Sequence, residues 1–381
     1  MTDTRFIQIH CLQSFPAALL NRDDSGLAKR LPFGGATRTR VSSQCLKRHW
    51  RMADDEWSLA TLDVPRSVRS RVLPERRIEK ALREDGTADD DTIAAVVIAL
   101  AQNLYGKEAK VITNRQALLL GEPEIDYLTE RARAALAEAD GPKAAATAID
   151  TLFKKEEKTN LKALLDANRL NAGLEAALFG RMVTSDPGAN TDAAIHVAHA
   201  FTVHAEETES DYFTVVDDLT REAGETSAGG IFDTELASGL YYLYVVVDVP
   251  CLIANLGGDG TLAGRVVEHL VHLVATVSPG AKLGSTAPYA YAELMLVETG
   301  GRQPRTLANA FRRPVKPQTA AAADALDDYL GRIDAAYGGA EARRHLALDG
   351  RILAGSEGPV DLDGLARFAR DAVDRDGDGE G

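Results

Sequence analysis

The sequence predicts an α+β fold, in which a strand-rich body is interrupted by one large helical insertion and one smaller polar insertion. Three observations predict it. Alternating and β-branched segments occur near the start and again after residue 180. The stretch 61–179 has helical character, and a polar, glycine-rich excursion occupies 203–233. The predicted divisions are therefore a body of 1–60 and 180–381, helices at 61–179, and an insertion at 203–233.

Two segments of the body have the character of strands. RFIQIHCL, residues 5–12, alternates in polarity and places Ile7, Ile9 and Cys11 on one face. GLYYLYVVVDV, residues 239–249, is dense in aromatic and β-branched side chains, which strands favour.

A polar loop rich in turn-forming residues, 21–35, separates the first strand from a second one, TRTRV at 37–41. Alternation along this second strand places Arg38 and Arg40 on the same side. The later segment AAIHVAHAFTVH, 193–204, fits either a helix or a strand.

Amphipathic or capped segments predict the helices. One begins after Thr and Asp residues and ends at a glycine, as helices prefer. The predicted helical segments are 87–106, 122–140, Ala144 to Phe179, 261–277, 324–338 and 362–373.

Composition bounds the class of protein. The chain has 381 residues, 45% of them hydrophobic, which suffices for a buried core. No apolar run approaches the ~20 residues that cross a bilayer, and the opening residues do not resemble a secretory signal. Its three cysteines, Cys11, Cys45 and Cys251, form no CxxC pair, so we expect a reduced, cytoplasmic protein that does not act at membranes.

The charge distribution is uneven. The formal net charge is -14, which disfavours nonspecific binding to nucleic acid. Residues 31–51 nevertheless carry several Arg and Lys and no Asp or Glu. A local basic groove is still possible, because charges within about 10 Å matter most to a bound phosphate.

A helix that begins after Ser42 or Ser43 would divide this basic segment into two faces. One arc carries Gln44, Lys47, Arg48 and Arg51, and the opposite side carries Cys45, Leu46, His49, Trp50, Met52 and Ala53. With the preceding Gly-Gly loop and basic strand, the polar arc could cradle phosphates. A solvated amphipathic helix is the alternative, and the pattern alone leaves both open.

Six motifs, which follow one another along the chain, carry a resemblance to a known family. The chain resembles the CasC family, the backbone subunit of the type I-E CRISPR Cascade complex, as far as about residue 316. The motifs are LNRDD (20–24), LPFGGATRTRVSSQCLKR (31–48), GRMVTS (180–185), AHAFTVH (198–204), DYFTVVDDL (211–219) and SPGAK (278–282).

The resemblance implies a palm with an RRM or ferredoxin-like fold, helical fingers at 61–179, and a β-hairpin thumb at 203–233. It implies that copies polymerise head to tail along a CRISPR RNA and displace one guide nucleotide at regular intervals. The remaining bases stay free to pair with target DNA. The subunit itself would not be catalytic and would need no cofactor or metal. Other Cascade subunits and a recruited helicase-nuclease would be its partners.

The resemblance also assigns residues. The expected guide-backbone contacts are Arg22, Lys29, Gln44, Lys47, Arg48 and Arg51. Lys282 is a lesser candidate, for which a solvated loop lysine is the alternative. Met182 would wedge between bases, since an apolar side chain disrupts stacking without base specificity; a core methionine is the alternative. Tyr212, Phe213 and Thr214 would hold the displaced nucleotide.

A second cationic stripe lies in the predicted fingers. Lys154, Lys155, Lys158 and Lys162 project within one arc of a helix. The resemblance favours contact with duplex DNA, and an ordinary solvated helix face remains the alternative.

Other function classes have weaker support. A ribonuclease of the same broad fold, using Asp23 or Asp24, is the main rival, and a general single-strand binder is the third. His196, His199 and His204, and separately His269 and His272, lack the neighbouring ligands of a zinc site. The glycine-rich segment 255–264 lacks the third glycine of a dinucleotide fingerprint.

Overall fold

The computed structural model describes residues 4–153, 168–183, 187–216, 228–339 and 341–374. The chain forms two compact units. The sheet unit takes the described residues of Met1–Thr61, His196–Asp248 and Ala263–Gly381, and the helical unit takes those of Leu62–Ile195 and Val249–Leu262.

The strands in chain order are β1 Phe6–Ala18, β2 Arg30–Phe33, β3 Ala36–Val41, β4 Ser67–Ser70, β5 Leu118–Gly121, β6 Ile195–Val197, β7 Ala200–Thr202, β8 Thr208–Val216, β9 Ala228–Asp248, β10 Ala292–Gly300 and β11 Ala342–Ala347.

The α-helices in chain order are α1 Ser43–Met52, α2 Glu79–Asp85, α3 Asp90–Tyr105, α4 Glu122–Glu138, α5 Pro142–Leu152, α6 Leu174–Phe179, α7 Val249–Asn255, α8 Gly260–Thr276, α9 Leu283–Thr286, α10 Thr319–Tyr337 and α11 Leu362–Asp374. None of the described helices is long and apolar enough to cross a membrane.

One antiparallel sheet organises the sheet unit. Its strand order is β11-β10-β1-β9-β7-β3-β2, and β6 and β8 also pair with β9. Ile9 of β1 lies opposite Val245 of β9 on one side and Val297 of β10 on the other. The predicted α+β class is confirmed, and the ambiguous segment 193–204 forms the short strands β6 and β7.

Strand β1 lies inside this sheet, between β10 and β9, and its residues 6–13 are buried on both faces. Ile7, Ile9 and Cys11 are fully buried, as the alternation indicates. The intervening side chains of Gln8 and His10 are buried too. A central strand must therefore satisfy its polar residues within the protein.

Helix α10 packs against β1 and β10. The apolar core on this face combines alternate residues of the strands with one stripe of the helix. Its members include Leu12, Leu240, Tyr242, Leu294 and Leu296 from the strands, and Ala322, Ala323, Leu326 and Leu330 from the helix.

A buried ionic network crosses the sheet at Glu298 of β10. Its carboxylate accepts hydrogen bonds from Arg343 Nε at 2.6 Å and from Arg305 at 2.8 Å, and His10 Nε2 lies 3.1 Å away. Burial alone would raise the pKa of Glu298, but the hydrogen bonds from Arg305 and His10 outweigh it and hold this pKa below its usual range. Burial lowers the pKa of His10, so this histidine stays neutral.

Strands β8 and β9 form a long antiparallel ladder in the segment where the polar insertion is predicted. Thr208 pairs with Ala237 at one end of the ladder, and Tyr212 pairs with Asp233 further along it. The residues 217–227 between the two strands lie outside the described part of the chain.

The helical unit contains helices α2 to α7 and a two-stranded sheet of β4 and β5, which the sequence did not predict. Asp89 caps α3, accepting a hydrogen bond of 2.9 Å from the Thr92 amide, and the helix ends at Gly106. Both helix ends are as predicted. The predicted helical segment from Ala144 to Phe179 is not one helix, because α6 begins after Gly173, whose φ is 83°.

Candidate nucleic-acid interface

Helix α1 presents the basic segment. Ser42 caps it, accepting a hydrogen bond of 3.3 Å from the Cys45 amide, and the Ser42 amide in turn donates to Asn21 Oδ1 at 2.9 Å. Leu46 and Trp50 are buried. The start of the helix is thus fixed against the 21–29 loop, and its apolar side is anchored in the sheet unit.

The predicted polar arc of α1 faces outward. Gln44 and Arg48 are exposed, and Lys47 and Arg51 are half-buried. Burial lowers the pKa of Lys47. The arc therefore combines one exposed cation, Arg48, with two cations that are already partly dehydrated, which reduces the cost of contacting a phosphate.

The prediction is wrong for one residue of the apolar side. Met52 is 61% exposed and does not dock. It is the last residue of α1, and Ala53 turns to an extended conformation with ψ of 142°, so the chain leaves the packed surface there. Cys45 and His49 are half-buried, and His49 Nδ1 donates to the Cys45 carbonyl oxygen at 2.8 Å.

Strand β3 does not contribute Arg38 to the basic surface, contrary to the prediction. Its guanidinium is fully buried and donates to the main-chain oxygens of Thr202 and Phe311, both at 2.9 Å. These carbonyl oxygens occupy the donors that a phosphate would need, so Arg38 holds the fold together.

Arg40 of the same strand, unlike Arg38, is partly accessible to solvent. It is half-buried and donates to His199 Nδ1 at 3.0 Å. The pKa of His199 is lowered by burial, then by the positive charges of Arg40 and Lys29. Lys29, Arg40 and the neutral His199 therefore form one cationic cluster beside α1.

The loop before this cluster is closed on itself. Arg22 is exposed and forms an isolated bridge with Ala28. Asp23 Oδ1 accepts hydrogen bonds from the amides of Ser25 at 2.9 Å and Leu27 at 3.0 Å, as in an Asx-turn. The Asp23 carboxylate thus shapes the turn that presents Arg22.

The Gly34–Gly35 turn joins β2 to β3, and Gly34 is required there. Its φ is 63°, and a Cβ on it would lie 1.5 Å from the main-chain oxygen of Arg312. The close approach brings the segment 312–316 to this turn. Arg312, Arg313 and Lys316 are exposed in it and extend the basic surface. The sequence could have indicated these three cations, because residues 299–323 contain no acidic residue.

Lys282 is not a freely solvated loop lysine. Its Nζ donates to Thr234 Oγ1 of β9 at 2.6 Å. The same loop donates from the Gly280 amide to His49 Nε2 of α1 at 3.4 Å. Lys282 therefore stands between helix α1 and the start of the β8–β9 ladder.

The predicted hairpin contacts lie on β8. Tyr212 is 63% exposed and Phe213 is 41% exposed, and Thr214 is exposed as well. Because side chains alternate along a strand, Tyr212 and Thr214 share one face and Phe213 lies on the other. The strand therefore carries two solvent-exposed aromatic rings, the kind of side chain on which bases stack.

Met182 lies in the helical unit and is 63% exposed, which excludes the core alternative. Its neighbours hold the backbone in place. Arg181 is buried, donates to Glu124 at 2.7 Å, and bridges to Thr191 through its main chain. The Val183 amide donates to Asn190 Oδ1 at 2.7 Å. The apolar side chain is therefore presented outward from a rigid support.

The remaining predicted contacts are not placed. Lys154, Lys155, Lys158 and Lys162 lie outside the described residues. In the parts of the chain that the structure describes, no group of three His, Cys, Asp or Glu side chains could hold a metal ion.

Comparison with known proteins gives the family. Residues 7–369 match the family model of CT1975-like protein. No curated protein sequence matches the chain. The structure is similar to a chain of a CRISPR RNA-guided surveillance complex in a pre-nicking state, with a TM-score of 0.75 and 26% identity over 96% of this chain and 100% of that one. A chain of another CRISPR RNA-guided surveillance complex shares the fold, with a TM-score of 0.58 and 22% identity over 96% of this chain and 99% of that one. The chain belongs to the CT1975-like protein family.

Proposed function

We propose that this chain is the guide-RNA-binding backbone subunit of a Cascade-type CRISPR surveillance complex. The observation that carries the proposal is the similarity, in both fold and sequence, to a chain of an RNA-guided surveillance complex over nearly the whole length of both chains. We choose the cationic surface of α1 and its neighbours as the RNA interface, because RNA phosphates bind to cations.

In this proposal the protein contacts the guide backbone, and base pairing reads the target sequence. Arg22, Lys29, Lys47, Arg48 and Arg51 would position phosphates of the guide, with Gln44 as a neutral donor. These contacts carry no sequence information, which suits a subunit that must accept any guide. Base pairing with target DNA would supply the specificity.

Periodic displacement of a guide nucleotide is the second part of the proposal. Met182 would separate neighbouring bases, and Tyr212, Phe213 and Thr214 on the β8–β9 hairpin would hold the displaced one. In this proposal the sheet unit corresponds to an RRM-like palm, the helical unit to fingers and the hairpin to a thumb, in the manner of a type I-E CasC subunit.

The assembly follows from these roles. Several copies would lie head to tail on one guide, other Cascade subunits would close the ends, and a recruited helicase-nuclease would cut the target DNA. The subunit would work in the cytoplasm without a cofactor and without catalytic activity. The rival is a ribonuclease that uses Asp23 or Asp24. The Asp23 carboxylate has a structural role in the turn, since its Oδ1 accepts two main-chain hydrogen bonds.

Native mass spectrometry of the co-expressed complex tests the proposal. We expect several copies of this chain with one RNA of defined length. A monomer that carries no RNA when co-expressed with its guide would contradict it. Incubation with complementary RNA and a divalent metal tests the rival: regular cleavage that is lost in Asp23→Ala would favour the ribonuclease.

A further inference from the structure

Two tyrosines that no part of the proposed function uses stand in solvent on the 278–291 loop. Tyr289 is 72% exposed and Tyr291 is 71% exposed. They lie two positions apart, just before β10, so two exposed aromatic rings stand close together in the sequence.

The backbone between the two rings is fixed. The Ala290 amide donates to Ser278 Oγ at 3.0 Å, and its carbonyl oxygen accepts hydrogen bonds from Ser278 Oγ at 3.1 Å and from the Gln13 side chain. The approach to the rings is constrained as well, because Ala287 has a φ of 39°, a costly conformation for a residue with a Cβ. Rigid rings lose little entropy when they bind.

The loop is attached to the candidate interface at two points. The Gly280 amide donates to His49 of α1, and Lys282 donates to Thr234 of β9. The loop therefore lies between the basic helix and the start of the hairpin.

The charge around the rings indicates the partner. In a chain of net charge -14, residues 269–292 contain no Asp or Glu, and neither do residues 25–53, which include α1. The hydrogen bond between Gly280 and His49 joins these two acid-free stretches. Lys282 on the same loop and the cations of α1, to which the loop is hydrogen-bonded, combine with the exposed rings to match the alternation of phosphates and bases in a single strand.

We infer that Tyr289 and Tyr291 form a stacking platform for bases of single-stranded RNA, next to the phosphate contacts of α1 and Lys282. The inference rests on the proposed function and extends it to a contact that none of the predicted site residues makes. Stacking on tyrosine tolerates every base, so the platform would hold the guide strand in place without reading it.

Photocrosslinking of the assembled complex tests the inference. A guide RNA that carries 4-thiouridine at single positions is irradiated, and trypsin then releases Leu283–Arg302 as one peptide that contains both tyrosines. We expect an RNA adduct on this peptide. Absence of the adduct at every labelled position, or crosslinks from the peptide to a second copy of the chain instead of RNA, would overturn the inference.

Affinity measurements with matched variants complete the test. The pair Tyr289→Ala and Tyr291→Ala should weaken guide binding about tenfold or more, and the pair Tyr289→Phe and Tyr291→Phe should stay within about twofold of the wild type. Tyr337→Ala is the control, since this residue is 79% exposed at the end of α10, away from the loop. If the alanine pair binds the guide as tightly as the wild type while Arg48→Ala weakens binding, the stacking platform is wrong and the proposed function still stands. If the wild-type complex binds no guide, the proposed function fails with it.

Discussion

The guanidinium of Arg38 donates a hydrogen bond of 2.9 Å to the main-chain oxygen of Phe311, which is 273 residues away in the sequence. A second one, also of 2.9 Å, reaches the main-chain oxygen of Thr202. One buried cation thus ties β3 to β7 and to the segment that precedes Arg312. The hydrogen bonds of Arg38 stabilise the part of the fold that carries the exposed cations.

Replacement of Arg38 should therefore affect stability first. Arg38→Met removes the donors and leaves buried carbonyl oxygens unsatisfied, so we expect the free energy of unfolding to fall by about 3 kcal/mol. Urea denaturation measures it. Arg40→Met, at a half-buried position on the same strand, is the control and should cost much less. Equal losses in the two variants would contradict the structural role of Arg38.

The Glu298 network predicts the response to acid. The pKa of His10 is lowered in the folded state. As the pH drops below about 6.5, the His10 imidazole is therefore protonated in the unfolded chain before it is protonated in the folded one, and stability falls. The pKa of Glu298 is also lowered, so a further loss begins below its unfolded value of about 4.3. Each proton contributes at most ~1.4 kcal/mol per pH unit.

Glu298→Gln tests this network. At pH 7 the substitution leaves the buried Arg343 without one carboxylate partner, and we expect a loss of about 3–5 kcal/mol. It should also remove the loss of stability below about pH 4.3 that Glu298 causes. Glu357→Gln is the control, because Glu357 is exposed and its ion pair with Arg344 lies in solvent. Urea titrations at several pH values measure the free energy of unfolding. If the stability of Glu298→Gln still falls below about pH 4.3 as in the wild type, the role of Glu298 is contradicted.

Much of the fold follows from local pattern. The cap at Ser42, the buried face of Leu46 and Trp50, and the strand of Ile7 and Ile9 each depend on residues close in sequence, which periodicity and capping rules describe. The same rules place Gln44 and Arg48 on the exposed arc.

The rest depends on distant contacts. Alternation in TRTRV cannot show that carbonyl oxygens from residues 202 and 311 surround Arg38. Likewise, nothing near Lys282 in the sequence indicates Thr234 as its partner. Met52 departs from its predicted face because the helix ends there, and helix ends are hard to locate from periodicity alone.

Met182 gives a prediction about the bound guide. The side chain is exposed, so Met182→Ala should leave the melting temperature unchanged. It should reduce the periodic pattern of chemical reactivity along the guide, because a smaller side chain no longer separates the bases. Met182→Leu keeps the apolar bulk and should keep the pattern. Chemical probing of the guide in the three complexes measures this, and an unaltered pattern in Met182→Ala would refute the wedge.

The lysine stripe remains a prediction about target search. Reversal of charge at Lys154, Lys155, Lys158 and Lys162 to Glu should weaken the affinity of the assembled complex for duplex DNA at low salt by about tenfold or more. Binding of the guide should stay the same, which serves as the internal control. A gel-shift titration in which duplex affinity is unchanged would mean that the stripe is only a solvated face.

The central claim is that the exposed arc of α1 binds the phosphates of the guide, and the salt dependence of guide affinity tests it most directly. The triple variant Lys47→Ala, Arg48→Ala and Arg51→Ala removes three cations and leaves Leu46 and Trp50 in place. For a single strand, the slope of log affinity against log salt should become shallower by about 2. Arg332→Ala, an exposed cation on α10, should not change the slope. A triple variant whose affinity and slope equal those of the wild type would contradict the account.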